Sequence, residues 1–267
     1  MKTSLFVLTA ALLAGTAASA RDVNHPFYLP AQGGFLSDTN VVYQNTEDGD
    51  SENLVLSEGI TYGVTKNFAL TGTISDAYYI DAPFTDGQDR WDNPAYEVGF
   101  KYNLIDCPKS RVKVQLGADY TQGVLSMLPF GWYLNDANGY DHHVKALSGF
   151  VKAGFEVTEG LLPYVTATAI KPIGKYESDF AVYVGRLGVY KTLGDNLSAD
   201  VGVDYVWDGS TNARRSHHYR EWDLDLSLNY KLSENTSIGV NGSYMVDAKP
   251  FDHWDYYTVG VNFKWAF

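Results

Sequence analysis

Basic residues, cysteine and long apolar runs are all scarce in this chain of 267 residues, and each shortage removes a class of protein. There are 20 Lys and Arg against 32 Asp and Glu. A protein that holds nucleic acid needs a basic surface to displace counterions, so nucleic acid is excluded as a partner. Cys107 is the one cysteine, so no internal disulfide can form. Beyond the first 20 residues no apolar stretch approaches the roughly 20 residues that a membrane helix requires. A chain with this pattern can cross a bilayer only by closing its backbone hydrogen bonds in a barrel.

What is present begins with an export signal. Lys2 forms a positive n-region, Leu5 to Gly15 an apolar stretch, and Ala18-Ser19-Ala20 a small-residue cleavage site. Residues 1–20 are therefore expected to be removed as a signal peptide, leaving 19 basic against 32 acidic residues, a balance of −13. No cysteine follows the cleavage site, which argues against a lipoprotein anchor. Aromatic residues make up 15% of the chain and glycines number 25, while mean hydropathy is negative. That combination suits a barrel wall with aromatic girdles and does not suit a helical membrane protein.

Residues 256–267 alternate with a period of two: Tyr257, Val259, Val261, Phe263, Trp265 and Phe267 share one face, and Thr258, Gly260, Asn262 and Lys264 the other. Similar runs recur at 35–44, 53–64, 68–80, 94–104, 111–125, 144–157, 161–170, 180–193, 197–207, 219–232 and 236–246. Tight polar turns around 65–67, 106–110, 158–160, 194–196 and 233–235 take turns with longer polar connections. Hairpins of this kind repeat about every 40 residues. The pattern predicts an all-β, transmembrane, antiparallel up-and-down β-barrel of about 12 strands over residues 35–267, with both termini in the periplasm. Residues 21–34, with Pro26, Pro30 and Gly33-Gly34, read as an irregular periplasmic lead that tethers the first strand; plugging the lumen is the alternative.

The closing strand resembles that of bacterial outer-membrane β-barrels. In that family a terminal aromatic residue helps the barrel-assembly machinery recognise its client, which gives Trp265 and Phe267 the role of an assembly signal. The pieces 62–70, Tyr-Gly-Val-Thr-Lys-Asn-Phe-Ala-Leu, and 93–102, Asn-Pro-Ala-Tyr-Glu-Val-Gly-Phe-Lys-Tyr, are also similar to the transporter-type barrels named for phenol meta-pathway degradation. This second resemblance implies uptake of a small solute and transfers no binding residue.

Period-two register sorts the strands into faces. Val112, Val114, Leu116, Leu197, Val201, Val203, Leu224, Leu226 and Leu228 belong to a lipid face. On the opposite face Glu97, Lys101, Lys113, Asp119, Lys152, Arg186, Asp200, Asp204, Asp223 and Asp225 line the lumen. Charges of both signs there describe either a polar pore with a transverse field or a salt-bridged filling of a narrow barrel. Glu58 and Asp76 break the pattern by falling on apolar faces, which a bulge or a place at the bilayer edge would explain. Aromatic residues gather at both strand ends, as interfacial girdles do.

Candidate chemistry concentrates in the long connections. His142, His143, His217, His218 and His253 lie near carboxylates, a donor set that suits a transition metal at the barrel mouth. Ser216-His217-His218 is the nearest approach to a hydrolase site, without an obvious orienting acid on a neighbouring strand. The reading is a non-enzymatic, cofactor-free outer-membrane channel for small solutes, with outer-membrane lipid as its surroundings. The alternatives are a non-conducting structural or surface-binding barrel and an outer-membrane lipid hydrolase.

Overall fold

A computed structural model of the chain describes residues 22–46, 51–81, 94–106, 110–123, 144–173, 181–209, 220–249 and 256–267. They form twelve strands: β1 (Phe35–Thr46), β2 (Ser51–Thr65), β3 (Phe68–Asp81), β4 (Ala95–Ile105), β5 (Val112–Gly123) and β6 (Val144–Phe155), then β7 (Leu161–Pro172), β8 (Val182–Thr192), β9 (Leu197–Asp208), β10 (Arg220–Ser233), β11 (Thr236–Lys249) and β12 (Tyr256–Ala266). Each strand pairs antiparallel with its sequence neighbours, and β1 pairs with β12, so the sheet closes into a barrel with no free edge. Among the described residues there is no helix.

The seam joins the two ends of the barrel chain. Phe35 N donates to the Phe267 carbonyl at 2.7 Å and Phe267 N donates to the Phe35 carbonyl at 2.9 Å. The Phe267 ring stacks on Phe35 with centroids 5.5 Å apart and touches Trp265 at 4.9 Å, while Tyr62 covers the other side of Phe35 at 4.7 Å. Both expected assembly residues thus belong to the contact that closes the ring. At the opposite end, Tyr183, Trp207, Tyr205 and Trp222 stack in sequence across β8, β9 and β10. Tyr256 lies on the inward face beside Glu221 and Asp223, as its period-two register with Thr258 and Lys264 requires.

The outer surface carries Val98, Leu147, Leu187, Val201, Leu224, Leu226, Val240 and Val259, all exposed. A soluble sandwich would have buried these residues. The hydrophobic cluster of buried residues is Phe27, Leu162, Tyr164 and Tyr190, inside the wall. Glu58 and Asp76 both lie on the outward face, and no bulge places them there. Pairing of β2 with β3 runs without a shift from Asn53 to Gly63, through Leu56 with Asp76 and Glu58 with Ile74. Asp76 is two residues from Tyr78 and so stands near the aromatic girdle. Glu58 is four residues from Tyr62 and well within the wall, where Ser37 Oγ donates to its carboxylate at 2.6 Å and the Thr39 hydroxyl donates to its other oxygen. Neighbouring hydroxyls therefore replace both earlier explanations for Glu58.

Candidate functional site in the barrel lumen

Residues 22–34 lie inside the barrel, at the end where the short turns are, and not as a tether beyond it. Side chains from strands around the ring converge on this segment. Asn103 Nδ2 on β4 donates to the Phe27 carbonyl at 3.2 Å, and Lys152 Nζ on β6 donates to the Pro26 carbonyl at 3.0 Å. Tyr190 OH on β8 donates to Asp22 at 3.2 Å, and Ser237 Oγ on β11 donates to Asn24 Oδ1 at 3.0 Å. Only a segment in the lumen can reach four strands so far apart in a closed ring. Phe27 is 1% exposed, packed on Leu162, Tyr164 and Tyr190, with the Lys152 ammonium 5.7 Å above its ring. Burial pushes the Tyr28 phenol up to about 12.

Above this floor Arg186 on β8 organises the acidic side of the wall. Its Nη1 contacts Asp204 on β9 at 2.8 Å and Asp225 on β10 at 2.5 Å, and Nη2 lies 3.8 Å from Asp200. Tyr164 OH on β7 donates to Asp200 at 2.8 Å and accepts from Arg186 Nε at 3.2 Å. Two glycines make room for these side chains to lie along the wall. A Cβ on Gly202 would stand 2.5 Å from the Arg186 guanidinium, and one on Gly188 would stand 2.3 Å from the Tyr164 ring. Asp223 is 6% exposed and lies within hydrogen-bonding reach of Glu221, which is fully buried.

The remaining charged residues on the inward face divide between floor and wall. Lys113 is 2% exposed and stands 3.7 Å from Asp106 at the short-turn end, so it belongs to the floor. Lys152 is also committed to the floor. Glu97 and Lys101 on β4 and Asp119 on β5 form a second group, in which Thr71 and Ser148 each donate to Asp119 at 3.4 Å. Lys264 on β12 faces Asp38 on β1 at 3.9 Å. In a ring of twelve, β4 stands opposite β10. The structure therefore brings Arg186 together with Asp200, Asp204 and Asp225, and sets Glu97, Lys101 and Asp119 across from them.

Sequence placed Lys113 and Lys152 on the inward face but did not assign Glu221 to the lumen, and Tyr164, Phe27, Asn103 and Tyr190 were not singled out. Glu221 shares the period-two face of Asp223 and Asp225, which is a signal that could have found it. Tyr164 follows Leu161-Leu162-Pro163, where alternation fails, and no sequence pattern points to it. His142, His143, His217, His218 and His253, together with Ser216 and Cys107, lie outside the described residues. Among the described residues no three His, Cys, Asp or Glu side chains are grouped to hold a metal.

A cavity of about 330 Å³ opens between the N-terminal segment and strands β8 to β12, touching Asn24, Arg186 and Asp200, Ser227 and Asn229, Asn241 and Ser243, Thr258 and Lys264. A larger groove of about 730 Å³ runs over the outer surface between β5 and β9 and is lined mainly by aliphatic residues such as Pro163, Val165, Leu187 and Val203. The first belongs to the lumen, the second to the apolar exterior.

The family described as "Putative MetA-pathway of phenol degradation" matches residues 109–267, which carry β5 to β12. The chain belongs to this family. The match falls outside the two pieces, 62–70 and 93–102, in which the resemblance was first visible. No curated protein matches the chain. Among solved structures, an outer-membrane channel from Pseudomonas putida F1 is similar at a TM-score of 0.59 and 10% identity, over 92% of this chain and 100% of that one. The NanC porin gives a TM-score of 0.55 at 11% identity, covering 84% and 98% of the two chains. The KdgM porin, in complex with disordered oligogalacturonate, gives 0.50 at 12% identity over 85% and 98%. These likenesses establish the outer-membrane barrel fold for this family member.

Proposed function

We propose that this family member is a passive, non-enzymatic outer-membrane channel for small solutes, with its short turns and both termini in the periplasm. The observation that carries the reading is the contrast between the two faces of one closed sheet. Outside are exposed aliphatic side chains between aromatic girdles; inside are carboxylates, ammonium groups, hydroxyls and amides around a cavity. An apolar outer face suits lipid, and a polar interior suits water and dissolved molecules. The names of the similar proteins, porins and an outer-membrane channel, point the same way, and the family's name ties the barrel to a catabolic route for phenol.

The N-terminal segment qualifies how such a channel works, because it fills the short-turn end. The full chain, refolded into a planar bilayer, should show small or brief conductance steps. A variant lacking residues 22–32 should show larger and steadier ones, since Phe27 and its hydrogen bonds no longer close the floor. Silence from both proteins overturns the channel reading and favours a structural barrel, for which the same plugged floor is the supporting observation.

A further inference from the structure

Resting on the channel reading, we propose that the lumenal cavity between the N-terminal segment and β8 to β12 is a recognition site for a neutral, polyhydroxylated solute of about monosaccharide size. Its volume of about 330 Å³ stands at the small end of the roughly 300–1,000 Å³ of ligand pockets. Its lining is decisive. Asn241 offers a donor and an acceptor. Asn229 donates to Ser227 Oγ at 3.1 Å and accepts from Asn262 Nδ2 at 3.3 Å, keeping one N–H and one lone pair over. The hydroxyls of Ser243 and Thr258 face each other at 2.8 Å, where either can be the donor. Such a wall rewards a ligand with several hydroxyl groups, each able to give and to take a hydrogen bond. A phenol has one hydroxyl and would engage few of the donors and acceptors that these groups still have to give. Among the described residues no aromatic ring lines this cavity, so there is no stacking surface for a benzenoid solute.

Charge argues for neutrality. The lining holds two cations, Arg186 and Lys264, and two anions, Asp200 and Asp225. Arg186 is already held by Asp225 and Asp204, and Lys264 faces Asp38. Both cations are engaged by carboxylates, so no free positive charge is left to draw an anionic ligand. Asn24 brings the N-terminal segment into the same cavity, and its Oδ1 is tied to Ser237. A solute seated here touches both the wall and the segment that closes the floor.

The test uses the full chain in two ways. In planar bilayers myo-inositol and glucose should interrupt the current in a concentration-dependent way, while phenol and benzoate should not. Calorimetry on the detergent-solubilised protein should give heat of binding for the same two polyols whether or not the channel conducts, so failure of the channel reading is distinguished from failure of this one. Asn241→Leu should weaken polyol binding about three- to ten-fold, the loss of one or two hydrogen bonds. Val240→Ala, on the outward face of the same strand, should leave it unchanged. Binding of phenol without polyol, equal responses to both classes, no heat with either polyol, or an Asn241→Leu variant with wild-type affinity each overturns the proposal.

Discussion

The guanidinium of Arg186 holds carboxylates on two strands, and its own position depends on residues that carry no charge. Replacing Arg186 by Met leaves Asp200, Asp204 and Asp225 facing one another without the cation that joins them. The expected loss is about 3 kcal/mol of stability, as for other partly buried ion pairs broken from one side. Adding Asp204→Asn should recover part of it. Urea titration of the barrel in detergent micelles checks both. Gly188→Ala should act in the same direction by pushing the Tyr164 ring away from Asp200 and Arg186, although the substitution touches neither charge. An unchanged midpoint for Gly188→Ala would show that the ring moves without cost. Sequence made legible the shared lumenal face of Arg186 and the acids of the next two strands. It could not make the part played by Tyr164 legible, because that hydrogen bond joins residues 36 apart in a strand whose alternation is broken by Pro163.

Among the elements, β9 and β10 set the acidic character of the lumen. Asp200, Asp204 and Asp225 are joined to Arg186, while Glu221 and Asp223 lie farther along the wall within hydrogen-bonding reach of each other, so acidic groups outnumber the guanidinium on this wall. An open channel is therefore expected to prefer potassium over chloride. The double variant Glu221→Gln, Asp223→Asn should reduce that preference and leave the Arg186 cluster intact. Reversal potentials across a salt gradient measure it, and an anion preference in the wild type would remove the acidic wall as the source of selectivity. On the other face of β1 and β2, Glu58 presents a carboxylate toward lipid, held by two hydroxyls. The triple variant Ser37→Val, Thr39→Val, Glu58→Leu should stabilise the barrel by about 1 kcal/mol, since outward charge in the membrane band is unfavourable. Most strand ends were readable to within two residues: 161–170 became Leu161–Pro172 and 35–44 became Phe35–Thr46. Period two fixes faces and turn residues fix ends, and both are local. Sequence left the seat of residues 22–34 between a tether and a lumenal plug and favoured the tether, because the hydrogen bonds that decide it join residues 76, 126, 168 and 213 apart.

At the scale of the whole molecule, the ring exists only when β12 meets β1. Phe267 contributes a backbone donor, a backbone acceptor and a stacked ring to that seam. Deleting Phe267 should lower the amount of barrel recovered in the outer-membrane fraction and its resistance to unfolding in cold detergent, and normal levels of a resistant truncated protein would count against its role.

The placement of charge around the ring carries one more consequence, for the shape of what can pass. Five acidic side chains of β9 and β10, with Arg186 among them, stand on one side, and the smaller, less acidic group of Glu97, Lys101 and Asp119 stands across the ring on β4 and β5. A molecule with a strong dipole entering between them is turned across the barrel axis, with its length spanning the bore. It then presents its longest dimension to the constriction instead of its narrow end. For such molecules the cut-off is set by length, whereas a compact molecule with no net dipole meets only the width. Two solutes of equal mass, one elongated and dipolar and one round and weakly dipolar, would be sorted by this barrel even though an uncharged bore of the same diameter would admit both.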